Sequence, residues 1–300
     1  MPSVQANGIT IEYDEQGEGE PLLLVMGLGA QLIDWPQGLV DELVARGFRV
    51  IRFDNRDAGL STEFTSRPPT NGEITRAFLL RRPMRSEYLL RDMANDAVGL
   101  LDALGIERAH VVGASMGGMI AQTIAIEHPE RVLSLTSIMS TTGSRRVGQP
   151  TLKLILTAGR RPLPARGDAV EMGLETFRKV CGPTFDESEF RRLAEISVAR
   201  SWRPAGTGRQ TAAIIASGDR TAALRDVRVP TLVIHGMLDP LVRVSGGIAT
   251  AKAIPGARLV LFNDMAHDLP RTRHAEMADE IASIARSSGV SAGMNGVATG

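Results

Sequence analysis

Short apolar runs with strand character, most of them followed by an amphipathic stretch of helical period, limit what this chain can fold into. The runs are 9–13, 22–26, 50–53, 110–113, 133–139, 231–235 and 258–262, and the helical stretches between them include 37–46, 93–105 and 117–128, the last stopped by Pro129. Such alternation specifies helices packed on the faces of a mostly parallel sheet, an α/β architecture.

The rhythm breaks after Met139, where about ninety residues carry only helical patterns before the next strand at Thr231. Asp168 with Glu171 and Asp186 with Glu189 have the spacing of capping boxes at helix starts. The expected organisation is therefore a core domain of residues 1–141 and 230–287, with a helical cap, 142–229, inserted into it. A second irregular stretch, 67–91, holds Pro68-Pro69 and several arginines and suits either a lid or a plain surface excursion. Beyond Ser287 the chain turns rich in Gly, Ser and Ala, so 288–300 is expected to be a flexible tail.

Chemistry concentrates at Gly113-Ala114-Ser115-Met116-Gly117. The pattern G-x-S-x-G allows a sharp strand-to-helix turn that exposes a serine hydroxyl above a sheet. A second match, Gly289-Val290-Ser291-Ala292-Gly293, has no strand before it. Context therefore selects Ser115 as the nucleophile and rejects Ser291.

A serine hydroxyl needs a base within hydrogen-bond reach and a group to orient that base. Of the five histidines, His110 precedes the serine, His128 closes a helix and His235 lies at a strand end, so all three read as structural. His267, in the loop after the strand 258–262, is the candidate base; His274, in a helical pattern with its ring expected to face solvent, is the fallback. Asp239, just past the strand 231–235, sits where the carboxyl edge of a parallel sheet presents its ligands and is the candidate orienting acid. Asp264 and Asp268 flank His267 too closely and read as turn or capping residues. Oxyanion donors are expected from the backbone N–H of Met116 and of Leu28, the latter in the loop Met26-Gly27-Leu28-Gly29.

Composition narrows the partners. With 34 basic and 34 acidic side chains the chain has no basic excess with which to bind nucleic acid or an anionic membrane. One cysteine, Cys181, permits no intrachain disulfide and reads as a packing residue. No run approaches the ~18 apolar residues of a membrane span, and residues 1–20 lack the features of a signal peptide, so the reading is cytoplasmic. There is no H-E-x-x-H or similar cluster, so neither metal nor cofactor is expected.

Residues 22–27, the turn 54–61, 109–117, 229–234 with Asp239-Pro240, and 265–270 together resemble the α/β-hydrolase superfamily, and within it the aclacinomycin methylesterase group of serine esterases. The resemblance spans about residues 20–275 and implies an α/β-hydrolase fold and a carboxylesterase with triad Ser115, Asp239 and His267 and oxyanion donors Leu28 and Met116. The stretch 67–91 and the cap depart from that group, so its anthracycline substrate is not carried over. Asp54 and Arg56 read as a turn network. Lipase, thioesterase, lactonase and cofactor-free perhydrolase activities use the same triad and stay open, as does a slow-turnover ligand receptor. Met26, Met139, Met237 and Met265, with Gly27, fall at strand ends or beside candidate catalytic residues and are expected to line a pocket for a hydrophobic small-molecule ester. The oligomeric state is not legible.

Overall fold

A computed structural model describes residues 1–79, 84–154 and 166–294. Eight strands form one sheet in the order β1-β2-β4-β3-β5-β6-β7-β8. They are β1 (Ser3–Ala6), β2 (Ile9–Gln16), β3 (Glu20–Val25), β4 (Phe48–Phe53), β5 (Ala109–Ala114), β6 (Val132–Ile138), β7 (Thr231–Gly236) and β8 (Arg258–Phe262). Strands β1 and β2 run antiparallel at one edge; β4, β3, β5, β6, β7 and β8 are mutually parallel.

Parallel strands covered on both faces need apolar side chains at successive positions, and β3 shows why. Leu22 and Leu24 point into the core on one face, packed with Leu39, Leu43 and Ile281, while Leu23 and Val25 point into the other with Leu101, Met119 and Ile124. The first set engages α1 (Gln37–Ala45) and the final helix; the second engages α3 (Leu90–Ala103) and α4 (Met116–Glu127). Each expected strand is present within a few residues of its expected bounds. The short edge strand β1 is additional.

Between β4 and α3 lies α2 (Asn71–Leu79), within the stretch open between lid and surface excursion; residues 80–83 of that stretch fall outside the described residues. Between β6 and β7 the regular elements among the described residues are helices, as expected, including α5 (Ala169–Val180), α6 (Glu187–Arg200), α7 (Pro204–Ser217) and a single turn at Thr221–Leu224. Asp186 caps α6, its side chain accepting from the N–H groups of Ser188 and Glu189. Asp168 makes no such bond, because a 3₁₀ turn over Arg166–Asp168 already leads into α5.

After β7 come α8 (Ser245–Ala253), β8 and α9 (His274–Met294). In the last the backbone is helical through residue 294, over part of the expected tail and including Ser291, where no proline intervenes to stop it. Residues 295–300 of the expected tail lie outside the described ones. Among the described residues no helix is long and apolar enough to cross a membrane.

Candidate active site

Ser115 stands at the junction of β5 and α4 with φ 56° and ψ −118°, a left-handed conformation that a non-glycine residue adopts only when its surroundings impose it. The surroundings here are glycines. A Cβ on Gly113 would lie 2.1 Å from Gly117 O, and one on Gly117 would lie 1.9 Å from Val25 O. Only the absence of both side chains lets α4 start directly against the ends of β5 and β3. The elbow is then fixed by Ser115 N–H donating to Ile138 O at 2.9 Å and Ser140 Oγ donating to Ser115 O at 2.7 Å.

The structure brings the three candidate side chains together. His267 Nε2 lies 3.0 Å from Ser115 Oγ, and His267 Nδ1 lies 2.7 Å from Asp239 Oδ2. Asp239 reaches this position on the loop after β7, His267 on the loop after β8. The two loops meet because Gly236 lacks a side chain: a Cβ there would lie 2.3 Å from Met265 O. Leu238 N–H donates to Met265 O and His267 N–H to Val180 O, at the end of α5.

Asp239 is buried and its second oxygen is committed elsewhere, with Oδ1 accepting from Leu241 N–H at 2.9 Å and Val242 N–H at 2.8 Å. Burial alone would raise its carboxyl. Hydrogen bonding from His235 and His267, the charge at His267 and the Val242 N–H outweigh that and hold it below the usual carboxylate range. His235, expected to be structural, places its Nε2 2.7 Å from Val242 O and 3.5 Å from Asp239 Oδ2, so the support it gives extends to the acid. Its spacing of four from Asp239, across a strand end, was the available signal.

The loop after β3 abuts the elbow. A Cβ on Gly27 would be 3.2 Å from Ser115 Cβ, and the adjoining N–H groups of Leu28 and Met116 have no acceptor among the described residues. A half-buried serine hydroxyl, an imidazole oriented by a buried carboxylate and, among the described residues, two unpaired backbone donors can together add a serine oxygen to a carbonyl and stabilise the oxyanion.

Other candidates are placed elsewhere. His274 is buried, not solvent-facing, because it starts α9 against α1, with its Nε2 3.0 Å from Leu269 O. His110 and His128 bond to Ser134 and Asn95. Asp264 pairs with Arg273, and Asp268 accepts from the N–H groups of Ala266 and Gly182. Cys181 is half-buried, and its burial, with Asp268 and Asp239 nearby, pushes the thiol up. Of the methionines expected to line a pocket, Met26, Met139 and Met265 are packed in the core beneath the strand ends, whereas Met237 is 53% exposed. A strand-end position places a side chain near the edge without aiming it at the ligand.

The alpha/beta hydrolase fold family matches residues 20–270. The chain belongs to the α/β-hydrolase family. It is 31% identical to a rhodomycin D methylesterase of Streptomyces sp. (strain C5), over 97% of this chain and the whole of that protein. A 2-hydroxymuconate semialdehyde hydrolase of Pseudomonas putida is 30% identical over 91% of this chain and 89% of its own length. In three dimensions this α/β-hydrolase is similar to an esterase from Thermogutta terrifontis, with a TM-score of 0.71 and 21% identity over 96% of this chain and 99% of that one.

Proposed function

We propose that this α/β-hydrolase is a serine carboxylesterase that cleaves carboxylic esters of hydrophobic small molecules through an acyl-enzyme. The observation that carries the reading is the continuous line from Ser115 Oγ through both nitrogens of His267 to Asp239. The methylesterase relative, matched along its whole length, supports an ester as the substrate class.

In this mechanism His267 Nε2 takes the Ser115 proton as Oγ bonds to the ester carbonyl carbon, and the carbonyl electron pair moves onto oxygen. Leu28 and Met116 N–H groups hold that oxyanion. On collapse the C–O bond to the alcohol breaks, and His267 returns its proton to the departing alkoxide. Water then enters, is deprotonated by the same nitrogen and bonds to the acyl carbon; as the bond to Ser115 Oγ breaks, His267 returns the proton to that oxygen and the acid is released. Asp239 holds the imidazole in the tautomer with hydrogen on Nδ1 and balances its transient charge. Residues 142–229 act as a cap on a core of 1–141 and 230–287, with Val180 O holding the His267 backbone from the cap side. The cytoplasm is the proposed site of action.

Steady-state hydrolysis of p-nitrophenyl butyrate tests the reading. Many turnovers per wild-type molecule, with kcat reduced about 10⁴- to 10⁶-fold in Ser115→Ala, are expected. One stoichiometric burst with no further turnover would mark a receptor, and an active Ser115→Ala protein would remove the serine mechanism.

A further inference from the structure

Gln210, in α7, takes no part in the chemistry above, yet its side chain is wholly buried and both ends of its amide are used. Its Oε1 accepts from Gly29 N–H at 2.8 Å, and its Nε2 donates to Arg56 O at 2.7 Å. Burying an amide carries a desolvation penalty that a leucine or methionine of similar length would avoid, so simple packing does not account for this residue type.

The position of the first bond is informative. Gly29 follows Leu28, so the bond fixes the peptide plane on the far side of Leu28. On the near side Gly27 O accepts from Ala30 N–H at 3.3 Å. In a planar trans peptide the carbonyl and the following N–H point in opposite directions, so this turn directs Leu28 N–H away from Ala30. Asn55 Nδ2 holds the residue before the turn by donating to Met26 O at 2.9 Å. Helix α7 also presses on the loop directly: a Cβ on Gly29, whose φ is +69°, would lie 2.7 Å from Thr207 Oγ1. The loop is thus held by one amide from the turn after β4 and another from α7.

We propose that Gln210 is a positioning residue of the oxyanion loop: its bond to Gly29 N–H, braced on Arg56 O, aims Leu28 N–H at the point where the oxyanion forms. The proposal rests on the reading of Leu28 and Met116 as oxyanion donors. A donor stabilises developing charge only if it is already aimed, so slack in this loop reduces transition-state binding more than substrate binding.

The test uses the full-length protein and two variants. Gln210→Met keeps the volume and removes both bonds. It should lower kcat about 10- to 100-fold with KM within about threefold, the loss expected when a donor is misaimed. The affinity of an alkyl boronic acid, whose adduct on serine mimics the tetrahedral state, should fall by the same factor as kcat/KM, and amide exchange over residues 27–30 should accelerate. Gln210→Glu can donate to Arg56 O only when its carboxyl is protonated, so its activity relative to wild type at the same pH should rise as the pH is lowered. This second variant also keeps the proposal testable should Gln210→Met fail to fold. A folded Gln210→Met protein with kcat within twofold of wild type, a kcat loss without parallel loss of boronic acid affinity, or a Gln210→Glu ratio flat with pH would overturn the proposal. A wild type that neither hydrolyses esters nor binds the boronic acid would instead refute the esterase reading. The exchange rates at 27–30 would still show whether Gln210 holds the loop.

Discussion

Gly117 and Val25 meet so closely that a Cβ on the glycine would sit 1.9 Å from the Val25 carbonyl oxygen. Backbone on both sides leaves nothing that can turn aside. The close approach seats the N-terminus of α4 on the end of β3, whose following loop brings Gly27 against Ser115.

Gly117→Ala should therefore destabilise the fold by about 1–3 kcal/mol, the usual range for overpacking, and reduce ester hydrolysis more than stability alone explains. Gly72→Ala, in α2 where an added Cβ would meet Thr70 Oγ1 only at 3.9 Å, should be neutral or slightly stabilising. Urea denaturation of the two variants, with kcat/KM measured on the folded fraction, checks the contrast.

Asp239→Asn should keep the fold and lower kcat about 10⁴-fold. The amide oxygen can replace Oδ1 as acceptor for Leu241 and Val242, which turns the NH₂ group toward His267 and favours the tautomer with hydrogen on Nε2. That tautomer cannot accept the serine proton. A loss below about tenfold would assign the orienting role to another acid.

The strands were legible because their both-faces burial writes continuous apolar runs, as at Leu22 to Val25. Strand β1 left no such run: as an edge strand it buries only Ala6 of its four residues. That Ser115, Asp239 and His267 come together was legible because each lies at a strand end beside a local pattern. Gln210 had no pattern, since its partners Gly29 and Arg56 are more than 150 residues away and one polar residue in a helix says nothing of what it faces. The ring of His274 was misplaced because helical periodicity does not reveal that α9 begins against α1.

Asp34 gives the stability a pH dependence. Its carboxyl, 2.7 Å from Gln31 N–H, is pushed up to about 6 from an ordinary 3.8, first by burial and further by Asp54 nearby. The native state thus keeps a proton that the unfolded chain releases above about pH 4. The stabilisation from that proton is full below pH 4 and is lost as the pH rises through about 6. Asp34→Asn should be more stable than wild type at pH 7.5, by about 1–2 kcal/mol, with the difference gone at pH 4. A difference that is constant with pH in parallel urea titrations would contradict this assignment.

Arg209 and Asp57 form a buried pair, with Nε to Oδ2 at 2.8 Å and Nη2 to Oδ1 at 2.7 Å, joined by Tyr88 OH donating to Oδ2 at 2.6 Å. This pair ties α7 to the turn after β4. Arg209→Met leaves Asp57 buried without its cation and should destabilise by about 3–5 kcal/mol; adding Asp57→Asn should recover much of that loss. Additive losses in the double mutant, measured by denaturation, would show that the pair is not coupled.

Covalent labelling tests whether Ser115 is the nucleophile. Wild-type protein treated with a fluorophosphonate and digested should carry the phosphonyl group on the peptide containing Ser115, in a one-to-one ratio, with labelling slowed by an ester substrate and abolished in Ser115→Ala. A label on the Ser291 peptide, or equal labelling of wild type and Ser115→Ala, would contradict it.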